Sequence, residues 1–381
     1  MLSNIKQKIT GLCRICGGQN FVTIDFNSYT SKAESSNPSL NEFQSIICDS
    51  CGVVAPFPPP NMNKLKQHYN SKYRHSTSVL NFEENYIEPP IQFESTQVSF
   101  KRAQAFFDII RKLKSEIPDI EPSTKDLIID YGSYQGVFLN TLVDYWKCSG
   151  IAYDFNQAGI RFAKRAFGLT ESVVAEDIYT DVFHEKARFI TSIHNFEHLD
   201  DPIRFLNHIK ENVLLHNGWL YIEVPNLYGF PLSDPTHFFT YSEDSLRYTI
   251  EKGGFHAECI WLTGKPSYSN PMWNTGHQNL HCIAKVAENS AKKTTSLAKA
   301  DIIYKKLRKS YRTTSIKFIL NQYKELFRFI IRTLIHTLGV ILLDLMPTFI
   351  AKKINFYSIL DYLIKIKNML LKIKQSKISR K

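Results

Sequence analysis

Two cysteine motifs and a series of acids at strand-like intervals are the residues of this chain best suited to chemistry. Cys13-Arg14-Ile15-Cys16-Gly17 and Cys48-Asp49-Ser50-Cys51-Gly52 share one form. A two-residue gap lets both thiolates of a tight turn reach one ion, and a glycine after the second cysteine accepts a positive φ. Two such turns make a closed tetrahedral site, so Cys13, Cys16, Cys48 and Cys51 are expected to ligate a structural zinc ion. The 31 residues between the pairs exceed the usual spacing, and the Ser/Asn-rich stretch 27–41 within them reads as a surface loop. Further along, Asp130 closes the apolar run 127–131 and leads into Gly132-Ser133-Tyr134-Gln135-Gly136, where the backbone must turn tightly and let a ligand come close. Asp154 follows 24 residues later at the end of the next apolar run. A carboxylate there can accept both ribose hydroxyls of an adenosine ligand. Glu176-Asp177 end a third run, where an acid can take an adenine amino group.

These residues need elements to hold them. Apolar runs at 127–131, 150–154, 172–175, 188–193 and 219–224 predict five strands. Helical patterns at 136–147, 156–167 and 201–215 fall between them, the last with Ile203, Leu206, Ile209 and Val213 at helical spacing. Strand and helix in alternation predict an α/β fold, a parallel sheet covered on both faces. Two later strands, about 256–262 and 279–286, have irregular chain between them and are expected to pair antiparallel at the sheet edge. The chain divides into a cysteine module (1–60), a helical connector (61–122) with amphipathic stretches near 62–75 and 99–117, the α/β domain (123–290) and a helical tail (300–381).

The α/β region resembles the class I S-adenosylmethionine-dependent methyltransferases, a Rossmann-like doubly wound family. The likeness rests on the acid-x-Gly-x-x-x-Gly turn at Asp130, Gly132 and Gly136, and on His194-Asn195-Phe196-Glu197-His198-Leu199 after the fourth strand. It continues through Asp201-Pro202, Asn217-Gly218 with the fifth strand, His237-Phe238-Phe239-Thr240-Tyr241-Ser242 and Gly253-Gly254-Phe255. Tyr134 stands where the family commonly has a middle glycine. The resemblance implies S-adenosyl-L-methionine as cofactor, held by Asp130, Gly132, Ser133, Tyr134, Gln135, Gly136, Asp154, Phe155, Glu176, Asp177, Ile178, His194 and Asn195. A zinc module ahead of such a domain is similar to the methyltransferases of nucleotide-linked sugars in polysaccharide pathways, whose loop reads Gly-Ser-Asn-Asp-Gly. That likeness implies a sugar, nucleotide-sugar or glycan acceptor.

Methyl transfer from a sulfonium needs alignment of acceptor and methyl and removal of an acceptor proton. Histidine is the natural base near neutral pH. Of 12 histidines, His198 and His237 fall in loops after the fourth and fifth strands, at the carboxyl edge where ligands sit in such sheets. His237 matches the residue that takes part in proton abstraction in the sugar enzymes. Glu197 and Tyr241 are expected to orient the base or the acceptor.

Composition narrows the alternatives. The chain has 381 residues, 43% hydrophobic and 22% charged, which excludes a mainly disordered protein. Its formal charge of +11 is uneven: residues 301–381 hold 18 basic and 4 acidic side chains, leaving 29 basic and 32 acidic over residues 1–300. Residues 11–57 carry only Arg14 and Lys32 as bases, so nucleic-acid binding is not expected. Met1 to Lys6 lead into no apolar run, which predicts no secretory signal, and seven cysteines with two CxxC pairs suit a reducing compartment. The expected location is cytoplasmic, with the tail against the inner membrane face. Residues 316–374 combine apolar residues at helical spacing with Lys and Arg beside them, a pattern that suits an anionic membrane surface. Packing on the body or on a second copy of the chain, as a homodimer, is the alternative. The altered loop also leaves a second function open, a catalytically silent binding module of the same fold anchored through its tail.

Overall fold

The computed structural model describes residues 11–24, 43–63, 65, 94–229, 236–264, 278–287 and 299–310. The loop at 27–41, most of the stretch 62–75 and the basic segment 316–374 lie outside the described residues.

The cysteine module is a three-stranded antiparallel sheet of β1 (Phe21–Thr23), β2 (Gln44–Cys48) and β3 (Val54–Phe57), in the order β1-β2-β3. Antiparallel neighbours need only a short link. The second CxxCG turn is itself the hairpin between β2 and β3, with Gly52 N–H donating to Cys48 O at 2.9 Å.

The main sheet has seven strands: β4 (Leu127–Tyr131), β5 (Ser149–Asp154), β6 (Val173–Val174), β7 (Ala187–Ile193), β8 (Leu214–Pro225), β9 (Phe255–Thr263) and β10 (Asn279–Val286). Their order is β6-β5-β4-β7-β8-β10-β9. β4 to β8 run parallel, and β10 lies between β8 and β9, antiparallel to both. After β4 the chain first builds outward on one side, then returns to place β7 on the other. The loop leaving β4 therefore sits at the topological switch point, where a doubly wound sheet opens a crevice at its carboxyl edge.

Continuous apolar strands suit burial on both faces. Along β4, Ile128 and Ile129 enter opposite cores. One face carries α1 (Glu94–Leu113), α2 (Val137–Trp146) and α3 (Gln157–Phe167), with Phe106 of α1 at 4.5 Å from the Tyr221 ring. The other carries α4 (Pro202–His208) and α5 (Glu243–Lys252) through Phe205, Leu206, Leu246 and Ile250. The caps follow the sequence. Asn156 accepts from Gly159 N at α3, and Asp201 accepts from Arg204 N at α4 with Pro202 in the first turn.

Two elements differ from their expected bounds. The helix expected over 201–215 ends at His208, passes through a wide turn at Ile209–Val213, and gives way to β8 at Leu214. Leu214 is buried and pairs with Ala187, so sheet pairing overrides the helical spacing there. The third strand shortens to Val173–Val174, which lie on the sheet edge with one pairing partner and are exposed. The start of the tail packs on the body: residues 300–310 are helical, and Ala300, Ile303 and Leu307 bury against Ile24, Ile47, Val54 and Leu227.

Candidate functional site

The loop leaving β4 is shaped by three left-handed residues, Gly132 (φ 76), Tyr134 (φ 54) and Gly136 (φ 72). A Cβ on Gly132 would stand 2.6 Å from Asn195 Cβ, and one on Gly136 3.1 Å from Ala163 Cβ. The first glycine admits the loop after β7, and the second lets α2 start close to α3. Tyr134 holds a left-handed conformation that glycine adopts freely, at a strain of about 1–2 kcal/mol for a residue with a Cβ. Tyr134→Gly is therefore expected to raise stability by up to about 1 kcal/mol, after the greater unfolded-state freedom of glycine is offset. A lowered urea midpoint would refute that reading of the turn.

Asp154 fastens the same loop. Its Oδ2 accepts from Tyr134 N at 2.8 Å and its Oδ1 from Asn156 N at 2.7 Å. Asp130 lies below, 3% exposed, with Thr191 Oγ1 donating to its Oδ1 at 2.6 Å. Burial pushes the Asp130 carboxyl up to about 7, against the Thr191 hydrogen bond, with Asp154 adding repulsion. A carboxyl whose folded pKa is raised leaves stability intact at low pH and erodes it as pH climbs from the unfolded value toward the folded one. Asp130→Asn keeps an acceptor for Thr191 and removes the buried charge. The variant is expected to exceed the parent by up to about 4 kcal/mol above pH 7. The difference should vanish below pH 4, and urea unfolding at pH 4 and pH 8 checks both limits.

Around the third strand the sequence reading missed an organiser. Asp181 accepts from Tyr153 OH at 2.5 Å and from the N–H groups of Glu176 and Asp177 at 3.0 and 3.1 Å. It therefore shapes the turn carrying Glu176, Asp177 and Ile178. Burial opposes its charge, but these donors together hold its pKa below the ordinary range. Glu176 is exposed, Asp177 and Phe155 are partly buried, and Ile178 is buried. Ser133 Oγ is buried with no hydrogen-bond partner, so it can take a ligand's polar group. Switch-point loop, approach glycine, orphaned hydroxyl and terminal acid together fit an adenosine-containing cofactor with a charged amino-acid end.

The loop after β7 joins this half of the site to another. Asn195 packs against Gly132 and donates from Nδ2 to Ser192 Oγ at 3.2 Å. One residue further begins the 3₁₀ turn Phe196–His198. Glu197 is 1% exposed, and neither of its carboxylate oxygens accepts a hydrogen bond. His198 Nδ1 stands 3.0 Å from Thr236 O, a carbonyl that can only accept, so Nδ1 carries the hydrogen. The His198 and His237 rings meet edge to face at 4.8 Å. Phe238 N donates to Glu197 O at 2.8 Å, so His237 lies between this main-chain link and the contact of Thr236 O with the His198 ring. Tyr241 is fully buried among Phe196 and Phe239, its hydroxyl without a partner.

His194, expected beside the cofactor loop, turns its ring between two acids. Its Nδ1 lies 3.3 Å from Glu197 Oε1 and its Nε2 3.3 Å from Glu223 Oε1. Burial and Arg102 disfavour its cation, but the two carboxylates outweigh them and raise its pKa. Glu223 and Arg102 were not singled out in the sequence, although Glu223 is an acid in an otherwise apolar strand. Glu223 is fully buried and bonded to Arg102 Nε at 3.0 Å and Asn279 Nδ2 at 2.8 Å. Burial opposes its charge, yet Arg102 and the histidines hold its pKa well below the usual range.

The four cysteines converge. Cys13 Sγ and Cys51 Sγ are 3.7 Å apart, Cys16 Sγ and Cys48 Sγ 3.5 Å, and all four sulfurs fall within 4.8 Å of one another. Sulfurs placed tetrahedrally about 2.3 Å from zinc stand about 3.8 Å apart, so the cluster fits that ion. Gly18 N–H points at Cys16 Sγ at 3.3 Å, and Gly17 and Gly52 take φ of 78° and 71°. The module grips the second half of the site. Val54 and Thr240 exchange main-chain hydrogen bonds of 2.8 and 3.2 Å, and Arg14 pairs with Asp200 at 3.6 Å and lies over Phe238.

Residues 102–281 match the family of a methyltransferase domain. No curated protein matches the chain. Among solved structures, the chain is similar to the complex between the Haloferax volcanii Trm112 methyltransferase activator and a methyltransferase, at 15% identity and TM-score 0.37, over 51% of this chain and 98% of that one. It is also similar to an S-adenosylmethionine-dependent methyltransferase from Clostridium acetobutylicum, at 13% identity and TM-score 0.35, over 59% of this chain and 98% of that one. A TehB-like S-adenosylmethionine-dependent methyltransferase from Corynebacterium glutamicum is similar at 17% identity and TM-score 0.32, over 49% and 98%. The match to a methyltransferase-domain family runs over 102–281 and so takes in the doubly wound sheet and the loop 132–136 at its switch point. Among the described residues, no helix is long and apolar enough to cross a membrane.

Proposed function

We propose that this protein transfers the methyl group of S-adenosylmethionine to a sugar, nucleotide-sugar or glycan acceptor, with zinc held by Cys13, Cys16, Cys48 and Cys51 as a structural ion. The observation that carries the reading is the single loop 194–198. Asn195 packs on Gly132 at the cofactor turn, while Glu197 and His198 stand against His237. Cofactor and acceptor sides are thereby joined within five residues.

The cofactor, when bound, supplies a sulfonium methyl for in-line displacement. Asp154 and the turn 132–136 hold its nucleoside and amino-acid ends, and Ser133 Oγ is a hydroxyl available to the latter. Acceptor binding falls to the opposite side, where His237 accepts the acceptor proton and Glu197 stabilises the imidazolium that results. His198, tied through Nδ1–H to Thr236, orients that pair. Tyr241 packs behind the 3₁₀ turn and positions Glu197. The tail, in this reading, places the enzyme near an anionic membrane face on the cytoplasmic side.

Calorimetric titration with S-adenosylhomocysteine tests the cofactor half. One site of micromolar affinity is expected, followed by transfer of labelled methyl to a member of a nucleotide-sugar panel. No binding by a folded, zinc-loaded sample would turn the reading to a silent binding module, which the tyrosine in the turn favours.

A further inference from the structure

We propose that Glu197, His198 and His237 form a second metal site, one that binds a divalent first-row cation at the acceptor edge of the sheet. One ligand atom from each residue lies within 4.8 Å of the other two. Two imidazoles and one carboxylate are a donor set that suits manganese, iron or zinc and leaves further coordination positions open.

Three features point to a cation. The first is the Glu197 carboxylate. It is 1% exposed and neither oxygen accepts a hydrogen bond; His194 Nδ1 at 3.3 Å and His198 Nε2 at 3.9 Å from its Oε1 are neighbouring ring nitrogens. A buried carboxylate with unfilled acceptor positions calls for an ion or water. The second is the orientation of His198. Its Nδ1–H faces Thr236 O at 3.0 Å, which turns Nε2 toward Glu197. A histidine that ligates through one nitrogen characteristically donates the other N–H to a carbonyl or carboxylate. The third is rigidity. The 3₁₀ turn and the His237 segment are joined by Phe238 N to Glu197 O, and the His237 segment is joined by Thr240 to the cysteine module. Ligand atoms about 2.1 Å from one ion stand roughly 3 Å apart, so a contraction of up to about 2 Å, within reach of side-chain rotation, closes the trio on it.

The proposal rests on the reading of this edge as the acceptor side and deepens it. An acceptor hydroxyl that fills an open position on the ion loses its proton to water more readily, leaving the oxygen as the nucleophile for the methyl carbon. In this site the ion His237 helps to hold acts on the acceptor proton in place of the free imidazole, so its ligand role replaces its role as base, and loss of His237 slows transfer in either role. The acceptor atom assigned in this way is oxygen.

The test titrates manganese alone into the full chain loaded with zinc at the cysteines, following the free-ion signal by electron paramagnetic resonance. Zinc content is measured before and after, since thiolates retain zinc against manganese. One manganese per chain is expected, with S-adenosylhomocysteine binding measured on the same sample. E197Q and H198Q should each weaken manganese binding at least about tenfold while zinc content and S-adenosylhomocysteine affinity stay within twofold. Either variant suffices if the other fails to fold. Absent manganese binding beside intact S-adenosylhomocysteine binding overturns the metal site and leaves methyl transfer standing. Equal manganese binding by parent and variants overturns the assignment to this trio. Manganese binding lost in the variants, with no S-adenosylhomocysteine binding by the parent, supports the metal site and overturns methyl transfer.

Discussion

Cys48→Ser protein is expected to lose its zinc and, with it, methyl transfer. The four sulfurs form a closed set, and a structural zinc of this kind supplies on the order of 10 kcal/mol to the fold of a small module. Cys13, Ile15, Cys48, Cys51 and Val53 share one apolar core with Phe238, Phe239, Tyr241 and Leu246. Without the ion, β2 and β3 lose the turn that joins them, and Val54 no longer offers Thr240 its two main-chain hydrogen bonds. The segment carrying His237 is then released from one side. Cofactor binding should change little, because the turn at 132–136 and Asp154 have their own hydrogen bonds within the main sheet. The expected result is zinc below about 0.1 per chain, a methyl-transfer rate lowered at least about a hundredfold, and S-adenosylhomocysteine affinity within a few fold. Full transfer by a zinc-free variant would show that the module does not support the acceptor side.

His237→Ala is expected to lower kcat by about 10²–10⁴, the range for loss of a general base. The same substitution should leave S-adenosylhomocysteine affinity near that of the parent. His237 is 6% exposed and sits against His198 at 4.8 Å, and in the proposed function it faces the acceptor across the loop whose Asn195 packs on Gly132. A fall in kcat with KM for the cofactor unchanged identifies a group acting on the acceptor proton. His237→Gln keeps volume and hydrogen bonding but not the base, so it should resemble the alanine variant. An unchanged rate in either would remove His237 from the chemistry.

Both predictions hinge on a convergence that the linear chain conceals. The cysteine pairs are legible in sequence because a CxxCG turn needs only local geometry: two thiolates one turn apart and a glycine that accepts positive φ. The turn Asp130 to Gly136 is legible for the same reason, since the strand, the glycines and the terminal acid are contiguous. Asp154 was also in reach, because an acid that closes an apolar run marks a strand end. Glu223 was not, because an acid inside the long strand β8 looks like an interruption until Arg102 and Asn279 arrive from distant parts of the chain. Asp181 escaped for a related reason: its task is to hold the main chain of Glu176 and Asp177, and such hydrogen bonds leave no sequence pattern.

The sequence by itself determined the alternation of strands and helices, the zinc-type cysteine spacing and the acids at the strand ends. These depend on hydrophobic period and short-range turn chemistry, which act within a few residues. Tertiary structure alone decided where the helix after Asp201-Pro202 stops, because the pairing of Leu214 with Ala187 outweighs its helical spacing. It also decided that Tyr134 keeps a glycine-like φ, since the carboxylate of Asp154 holds the main chain of the turn. Above all it decided that Glu197, His198 and His237 share one point with an unsatisfied buried carboxylate. About forty positions separate the first from the last of these, and only the sheet edge, clamped by the cysteine module, brings them together.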